Sequence, residues 1–130
     1  MRSRHLSRVI AASTAVVQAV ASDPDRLPEW AAGLAKAAVT RDGGDLLVES
    51  PMGRVRVRFV PPNDLGVIDH DVVLPTGETV TNPVRVLAHP DGAEIVFTVR
   101  QLGMTDEEFE RDCGMGEADL QRLAALVERP

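Results

Sequence analysis

Apolar residues recur at helical spacing in the last part of the chain, and this pattern predicts one long helix over residues 105–127. Thr105 and Glu108 have the spacing of a capping box, and Asp106 and Glu107 add negative charge to the first turn, where it stabilises a helix. The helix carries one apolar stripe, so it has to bury that side against another element.

Upstream of this helix, apolar residues alternate with polar ones, which predicts strands. The turn at residues 42–45, Asp-Gly-Gly-Asp, is a strong hairpin signal. The predicted strands span residues 36–41, 46–50, 54–59, 66–74, 79–87 and 94–102. Turns rich in Gly, Pro and Asp separate them, so neighbouring strands are connected as hairpins and the sheet is antiparallel.

The N-terminal part predicts one strand followed by two short helices. Residues 6–11 have the pattern of a strand, and Ser13 or Thr14 caps a helix that ends at residue 21. The second helix, over residues 24–34, places three apolar residues on one buried face: Leu27, Trp30 and Leu34.

The same N-terminal residues also have features of a secretory signal, because arginines precede an apolar stretch over residues 9–21. Ser13, Thr14 and Gln18 interrupt that stretch, which favours the strand-and-helix interpretation and a cytoplasmic protein. Cys113 is the single cysteine, so an internal disulfide is impossible and a reducing compartment is the default. No stretch approaches the roughly 20 apolar residues of a membrane span.

Length and composition predict a single domain over residues 1–130. The net charge of −6 and the scarcity of aromatic residues, 3% of the chain, argue against a nucleic-acid partner, which needs clustered cations and stacking surfaces. His5, His70 and His89 are scattered, and the chain has no HxH, HExxH or CxxC spacing. We therefore expect neither a metal nor a cofactor.

These elements predict an α+β fold: a curved antiparallel sheet of about six or seven strands wraps around the long C-terminal helix, and two short helices follow the first strand. Four stretches of the sequence are distinctive: residues 25–30 (DRLPEW), 66–72 (GVIDHDV), 82–86 (NPVRV) and 103–109 (GMTDEEF). With the order of elements, they resemble the helix-grip fold of the START-like (SRPBCC) superfamily, which includes birch-pollen-allergen-like and polyketide cyclase/dehydrase-like proteins.

The resemblance implies an internal cavity between the sheet and the C-terminal helix, opening near the short helices. Members of the superfamily carry lipids, cyclise polyketides, bind hormones or assist chaperones, so the fold leaves three functions open. The first is binding of a small apolar molecule, the second is an enzyme of the polyketide cyclase/dehydrase type, and the third is interaction with a protein partner. We expect a monomer or a weak homodimer, since an exposed edge strand would allow pairing.

His70 is the candidate catalytic residue of the enzyme alternative. Ile68, His70 and Val72 share the apolar side of one strand, which turns the imidazole toward the cavity. Histidine titrates near neutrality, so an inward imidazole can move a proton, bind a ligand or be a hydrogen-bonded core residue. Asn82 and Val84 share the inner side of the next strand, which brings the Asn82 amide near His70. The two residues form the predicted polar cluster of an apolar cavity.

Other elements contribute further predicted wall residues: Trp30, Phe97, Phe109, Cys113, Met115 and Gly116. We interpret Cys113 as a small buried apolar residue, because a lone thiol on a helix is seldom a nucleophile. Gly116 costs roughly 1 kcal/mol relative to alanine inside a helix. Two explanations stay open: the missing side chain makes room in the cavity, or a stable fold tolerates the glycine.

Three arginines fall on the outer side of one strand: Arg54, Arg56 and Arg58. They form either an anion patch, which an interaction protein would use, or a solvated face balanced by acidic residues on neighbouring strands. The second interpretation is favoured. In the same way we expect Arg85 outside the cavity, paired across the strands with Asp69 or Asp71.

Overall fold

The computed structural model describes residues 1–32, 35 and 39–128. The strands are β1 (Ser3–Ile10), β2 (Thr40–Asp42), β3 (Asp45–Ser50), β4 (Gly53–Phe59), β5 (His70–Val73), β6 (Thr79–Asn82), β7 (Val84–His89) and β8 (Gly92–Arg100). The helices are α1 (Thr14–Ala21), α2 (Leu27–Trp30) and α3 (Asp106–Val127). No helix of the described residues has both the length and the apolar character needed to cross a membrane.

The described strands form two hydrogen-bonded sheets, and every pairing is antiparallel, as predicted. One sheet has the order β1-β8-β7, and the other has the order β2-β3-β4-β5-β6. The predicted strand over residues 79–87 is divided between them, because Pro83 has no N–H to donate to a ladder. Its carbonyl still accepts from the Thr98 N–H at 3.0 Å, so the chain pairs with β5 before Pro83 and with β8 from Pro83 onward.

The predicted strand over residues 66–74 also connects the two sheets. Its first part pairs with β7 through the Val67–Arg85 bridge and the Ile68 N–H to Val84 C=O bond of 2.8 Å. Its second part, β5, pairs with β4 and β6. Gly66 has a φ of +78°, and a Cβ there would lie 2.2 Å from the Val86 carbonyl oxygen. These two crossing segments curve the strands around α3.

The helix α3 begins and ends where the sequence predicts. The Thr105 hydroxyl accepts from the Glu108 N–H at 3.1 Å, and the Glu108 carboxylate accepts from the Thr105 N–H at 2.9 Å, so both bonds of the capping box form. The apolar stripe is buried against the sheets and α2: Phe109, Cys113, Gly116, Leu120, Leu123 and Ala124. Burial of this stripe therefore joins α3 to the rest of the fold.

The N-terminal strand is tied to the start of α3 by charge as well as by packing. The guanidinium groups of Arg2 and Arg4 lie 4.9 and 5.5 Å from the centre of the Phe109 ring. Arg4 donates to Glu110 at 2.6 and 2.8 Å, and this hydrogen bonding, with a further contribution from Arg2, lowers the pKa of the Glu110 carboxyl to about 2. The strand-and-helix interpretation of the N-terminal residues is the arrangement observed.

The second short helix is shorter than predicted. A 3-10 turn at Pro24–Arg26 precedes α2, and Ala31 leaves the helical region with φ −98° and ψ 56°. Pro28 explains the division, since it cannot donate the hydrogen bond that would continue a helix from Pro24. Leu34 and the start of the strand predicted over residues 36–41 lie outside the described residues.

The outer face of β4 is paired, as the favoured interpretation of its arginines predicts. Arg54 contacts Glu49 at 3.3 Å, while Arg56 and Arg58 converge on Asp45 at 3.2 and 2.6 Å. Asp45 is 7% exposed, and its hydrogen bonds from Arg58 and then Arg56 lower the pKa of its carboxyl. The arginine charges are thus balanced within the sheet.

Candidate functional site

A cavity of about 550 Å³ lies between the curved sheets, the short helices and α3. Eight of the ten predicted site residues lie in its wall: Trp30, Ile68, His70, Val72, Asn82, Val84, Phe97 and Gly116. Met115 lies there too. The inward positions of the strand residues among them, His70, Val72, Asn82, Val84 and Phe97, agree with alternation, which fixes which side chains of a strand share one side.

Phe109 and Cys113 are not in the wall, and this part of the prediction is wrong about their position. Both are only 1% exposed, but Phe109 packs under Arg2 and Arg4, on another side of the helix. Burial raises the pKa of the Cys113 thiol, so its reactive thiolate form is suppressed. Two sides of α3 are buried, and periodicity alone does not say which of them faces the cavity.

His70 provides the polar group of the inner wall. Its Nδ1 lies 3.2 Å from the Ile68 carbonyl oxygen, which fixes a proton on Nδ1, since the carbonyl can only accept. Its Nε2 lies 3.5 Å from the Asn82 Nδ2 and accepts a long hydrogen bond from that amide. The Phe59 ring is 4.8 Å away, centre to centre. Burial lowers the pKa of His70, so the imidazole is neutral near pH 7.

The aspartates on either side of His70 face outward, as predicted. Asp69 accepts from Arg85 at 2.7 and 2.9 Å and from the Val84 N–H at 2.9 Å, and these bonds lower the pKa of its carboxyl. Asp71 accepts from the Thr81 hydroxyl at 2.6 Å. Neither carboxylate therefore adjoins the imidazole inside the cavity.

The described wall has an opening at the end away from the short helices, whereas the resemblance implies one near those helices. We call this opening the mouth, and its exposed wall residues are Met52, Glu78, Thr79, Thr81, Arg100, Leu102, Gly103, Asp112 and Met115. They belong to the β3–β4 turn, the β5–β6 turn with β6, the end of β8 with the loop after it, and α3.

The short helices close the other end with buried apolar side chains: Ala21, Leu27, Trp30 and Ala31. Arg122 of α3 donates to the Trp30 carbonyl at 3.2 Å and pairs with Asp119, which holds α2 against the end of α3. The buried Trp30 indole N–H has no hydrogen-bond partner among the described residues. Burial and this anchor close the described part of the wall at this end.

Sequence reasoning missed the carboxylates of the wall. Asp112 and Asp119 lie on the side of α3 that faces the cavity, and Glu78 comes from the β5–β6 turn. A signal was present, because Asp112, Met115 and Asp119 have the spacing of one helical face. Partial burial raises the pKa of the Asp112 carboxyl.

Gly116 has a role that neither proposed explanation covered. A Cβ at this position would lie 2.6 Å from Leu6 Cδ1 and 3.6 Å from Phe97 Cδ1. The glycine therefore allows α3 to approach β1 closely, at a point where it also borders the cavity. By contrast, a Cβ at Gly114 would meet no atom within 4 Å.

Comparisons with known proteins identify the fold. No protein-family model matches the chain, and no curated protein matches it either. Among solved structures, the Aha1 dimer from Colwellia psychrerythraea is 12% identical with a TM-score of 0.76, over 98% of this chain and 97% of that one. Ara h 8.0201 is 15% identical with a TM-score of 0.70, over 97% of each chain.

DynU16, from the dynemicin biosynthetic locus, is 15% identical with a TM-score of 0.74, over 97% of this chain and 47% of its own. These structures share the helix-grip arrangement, so this chain has the helix-grip fold of START-like proteins. The resemblance drawn from the sequence is confirmed for the fold. The cavity of this protein and the His70–Asn82 pair in its wall define the candidate site.

Proposed function

We propose that the protein binds a small, mainly apolar molecule in its cavity, with His70 and Asn82 orienting one polar group of that molecule. The observation that carries the proposal is a cavity of about 550 Å³ whose wall is mainly apolar and whose strand side presents this one hydrogen-bonded pair, while the carboxylates of the wall lie on α3 and at the mouth. Ligand sites typically enclose roughly 300–1,000 Å³ and combine apolar walls with a few polar groups. The cavity has both properties.

The exposed apolar side chains at the mouth also support the proposal. Met52, Leu102 and Met115 are 55%, 44% and 38% exposed, and all three belong to the wall. Methionine side chains adapt to apolar partners of different shape, which suits the passage of an apolar molecule. Such exposure at the rim of an apolar cavity is typical of a binding site.

A thermal-shift screen against fatty acids, isoprenoids, flavonoids and aromatic polyketides tests the proposal. A ligand present at 100 times its Kd stabilises the folded state by about 2.7 kcal/mol, which raises the Tm by roughly ten degrees. We expect Val72→Phe, which projects into the cavity, to remove the shift. Arg85→Gln, on the outer surface, should retain it. A flat response across the panel, or a shift that Val72→Phe leaves unchanged, contradicts the proposal.

A second candidate function is proton transfer by His70 to or from a bound polyketide-like substrate. Two observations favour it: the imidazole is buried and neutral with Nε2 available as a base, and the wall contains three further carboxyl groups. The fold shared with DynU16 of the dynemicin locus points in the same direction. Incubation of each ligand from the screen with protein, followed by mass spectrometry, should then reveal a product. His70→Gln should abolish its formation and leave binding largely intact.

A further inference from the structure

The polar groups on the strand side of the inner wall, His70 and Asn82, restrict what a ligand can offer to them. His70 Nδ1–H is already used by the Ile68 carbonyl, so only the Nε2 lone pair faces a partner. That partner is the Asn82 Nδ2, at a distance of 3.5 Å, near the upper limit for a hydrogen bond. A ligand group that both donates and accepts can improve on this contact, because it donates to Nε2 and accepts from the amide.

Alcohols and phenols offer this combination, whereas ethers and ketones only accept. A carboxylate also only accepts, and it would place a negative charge against the Nε2 lone pair. Burial lowers the pKa of His70 and so disfavours the protonated imidazole that could answer such a charge. The inner wall thus favours a neutral hydroxyl over an anion.

The charges at the mouth act in the same direction. Asp112 and Glu78 border the opening, and no basic side chain among the described residues forms an ion pair with either. Arg100 is the cation of the described wall, and its Nη1 donates to the Ser3 hydroxyl at 3.0 Å. A carboxylate at the mouth would meet two like charges and one opposite charge.

We infer that the ligand class of this cavity is a neutral apolar alcohol or phenol whose hydroxyl bonds to His70 Nε2 and Asn82, and that carboxylate analogues are excluded. The inference rests on the proposed function, since it specifies the molecule that the cavity takes. It follows from hydrogen-bonding capacity and charge and sets no limit on the rest of the ligand beyond size and apolar character.

Isothermal titration calorimetry with three matched probes tests it: naphthylethanol, its methyl ether and naphthylacetate. We expect the alcohol to bind roughly fivefold more tightly than the ether, since one hydrogen bond is lost, and roughly tenfold or more tightly than the carboxylate. His70→Leu should bring the alcohol and the ether to equal affinity. His5→Gln is the matched control, because His5 bonds to Thr98 on the outer side of the sheet, and it should keep the wild-type preference.

The variant Asp112→Asn tests the mouth separately and should reduce the discrimination against naphthylacetate. Glu117→Gln removes a negative charge from α3 outside the wall, and it should leave the discrimination against naphthylacetate unchanged. Equal binding of alcohol and ether, or preferred binding of the carboxylate, overturns the inference and leaves the proposed function standing. Binding of none of the three probes contradicts the proposed function itself.

Discussion

His70 shows how one residue acquires a defined chemical state from its surroundings. The strand alternation turns it inward, the Ile68 carbonyl fixes its tautomer, and burial disfavours its charged form. The negative charges of Asp69 and Asp71 oppose that effect, but they lie outside the cavity and desolvation is the larger contribution. The result is a neutral imidazole whose free lone pair is directed to Asn82.

This state predicts a pH dependence of stability. The pKa of His70 is lowered from 6.5, so the unfolded chain binds the proton more readily than the folded one. The stabilising contribution is therefore complete above pH 6.5 and is lost as the pH falls below it. We expect the free energy of unfolding of wild type, measured by urea denaturation, to exceed that of His70→Gln by less at about pH 5 than at about pH 8.

Asn82→Ala provides the control for this experiment, because it removes the amide and keeps the titrating imidazole. The free energy of unfolding of Asn82→Ala should differ from that of wild type by an amount that changes less with pH than the corresponding difference for His70→Gln. An NMR titration of the His70 ring gives the direction of the shift independently. If wild type and His70→Gln differ in free energy of unfolding by the same amount at both pH values, burial does not lower the pKa of His70.

At the scale of elements, the position of α3 depends on its close approach to β1, which the helix sequence alone does not predict. The apolar stripe and the capping box produce the helix, yet Gly116 allows it to lie against Leu6 of β1. Arg4 of β1 reinforces that contact through Phe109 and Glu110. The cavity-facing side of α3 follows from this packing, since a helix that presents Phe109 to β1 presents Asp112 and Met115 to the cavity.

The two glycines of α3 provide a matched test. Gly114→Ala should raise the free energy of unfolding by about 1 kcal/mol, since it gains helix propensity and its Cβ meets no other atom. Gly116→Ala gains the same propensity, but it must displace the buried Leu6 side chain, so its net gain should be smaller or negative. Urea denaturation of both variants measures the difference.

A Leu6→Ala background separates propensity from packing in this pair. There the methyl group of Gly116→Ala has no Leu6 Cδ1 to displace, and the substitution should approach the gain seen for Gly114→Ala. If Gly116→Ala already stabilises the wild-type background as much as Gly114→Ala does, the close approach is not the constraint that we describe.

For the whole molecule, the cavity results from how the two sheets are joined. Residues 66–74 and 79–87 each pair with both sheets: β6, which precedes Pro83, pairs with β5, whereas β7, which follows it, pairs with β8. The short helices close one end and the turns at the other end leave the mouth. Local sequence determines each segment, but the volume between them is a property of the assembled chain.

Two valines that face each other across the ladder should therefore respond differently to the same substitution. Val57 and Val72 are directly paired, and both are buried, yet only Val72 belongs to the cavity wall. We expect Val57→Phe to cost about 1–3 kcal/mol of stability through overpacking, whereas Val72→Phe should cost less because its ring can enter the cavity. Equal losses in urea denaturation would show that Val72 has no such space beside it.

By itself, the sequence determined the class of fold and the inner side of each strand. Period-two alternation follows from backbone geometry, so Ile68, His70 and Val72 could be assigned to the cavity without knowledge of the rest of the chain. The capping box fixed the start of α3 in the same local way. The binding role of these residues stays a prediction.

Only the tertiary structure decided which side of α3 faces the cavity, where the chain crosses between sheets and at which end the mouth lies. Phe109 and Asp112 both fit a helical repeat, and the choice between them depends on contacts with β1, more than a hundred residues away in the chain. Such contacts connect distant segments, and no local pattern records them. The polar pair of the inner wall was therefore predictable from alternation, whereas the acidic mouth followed from packing.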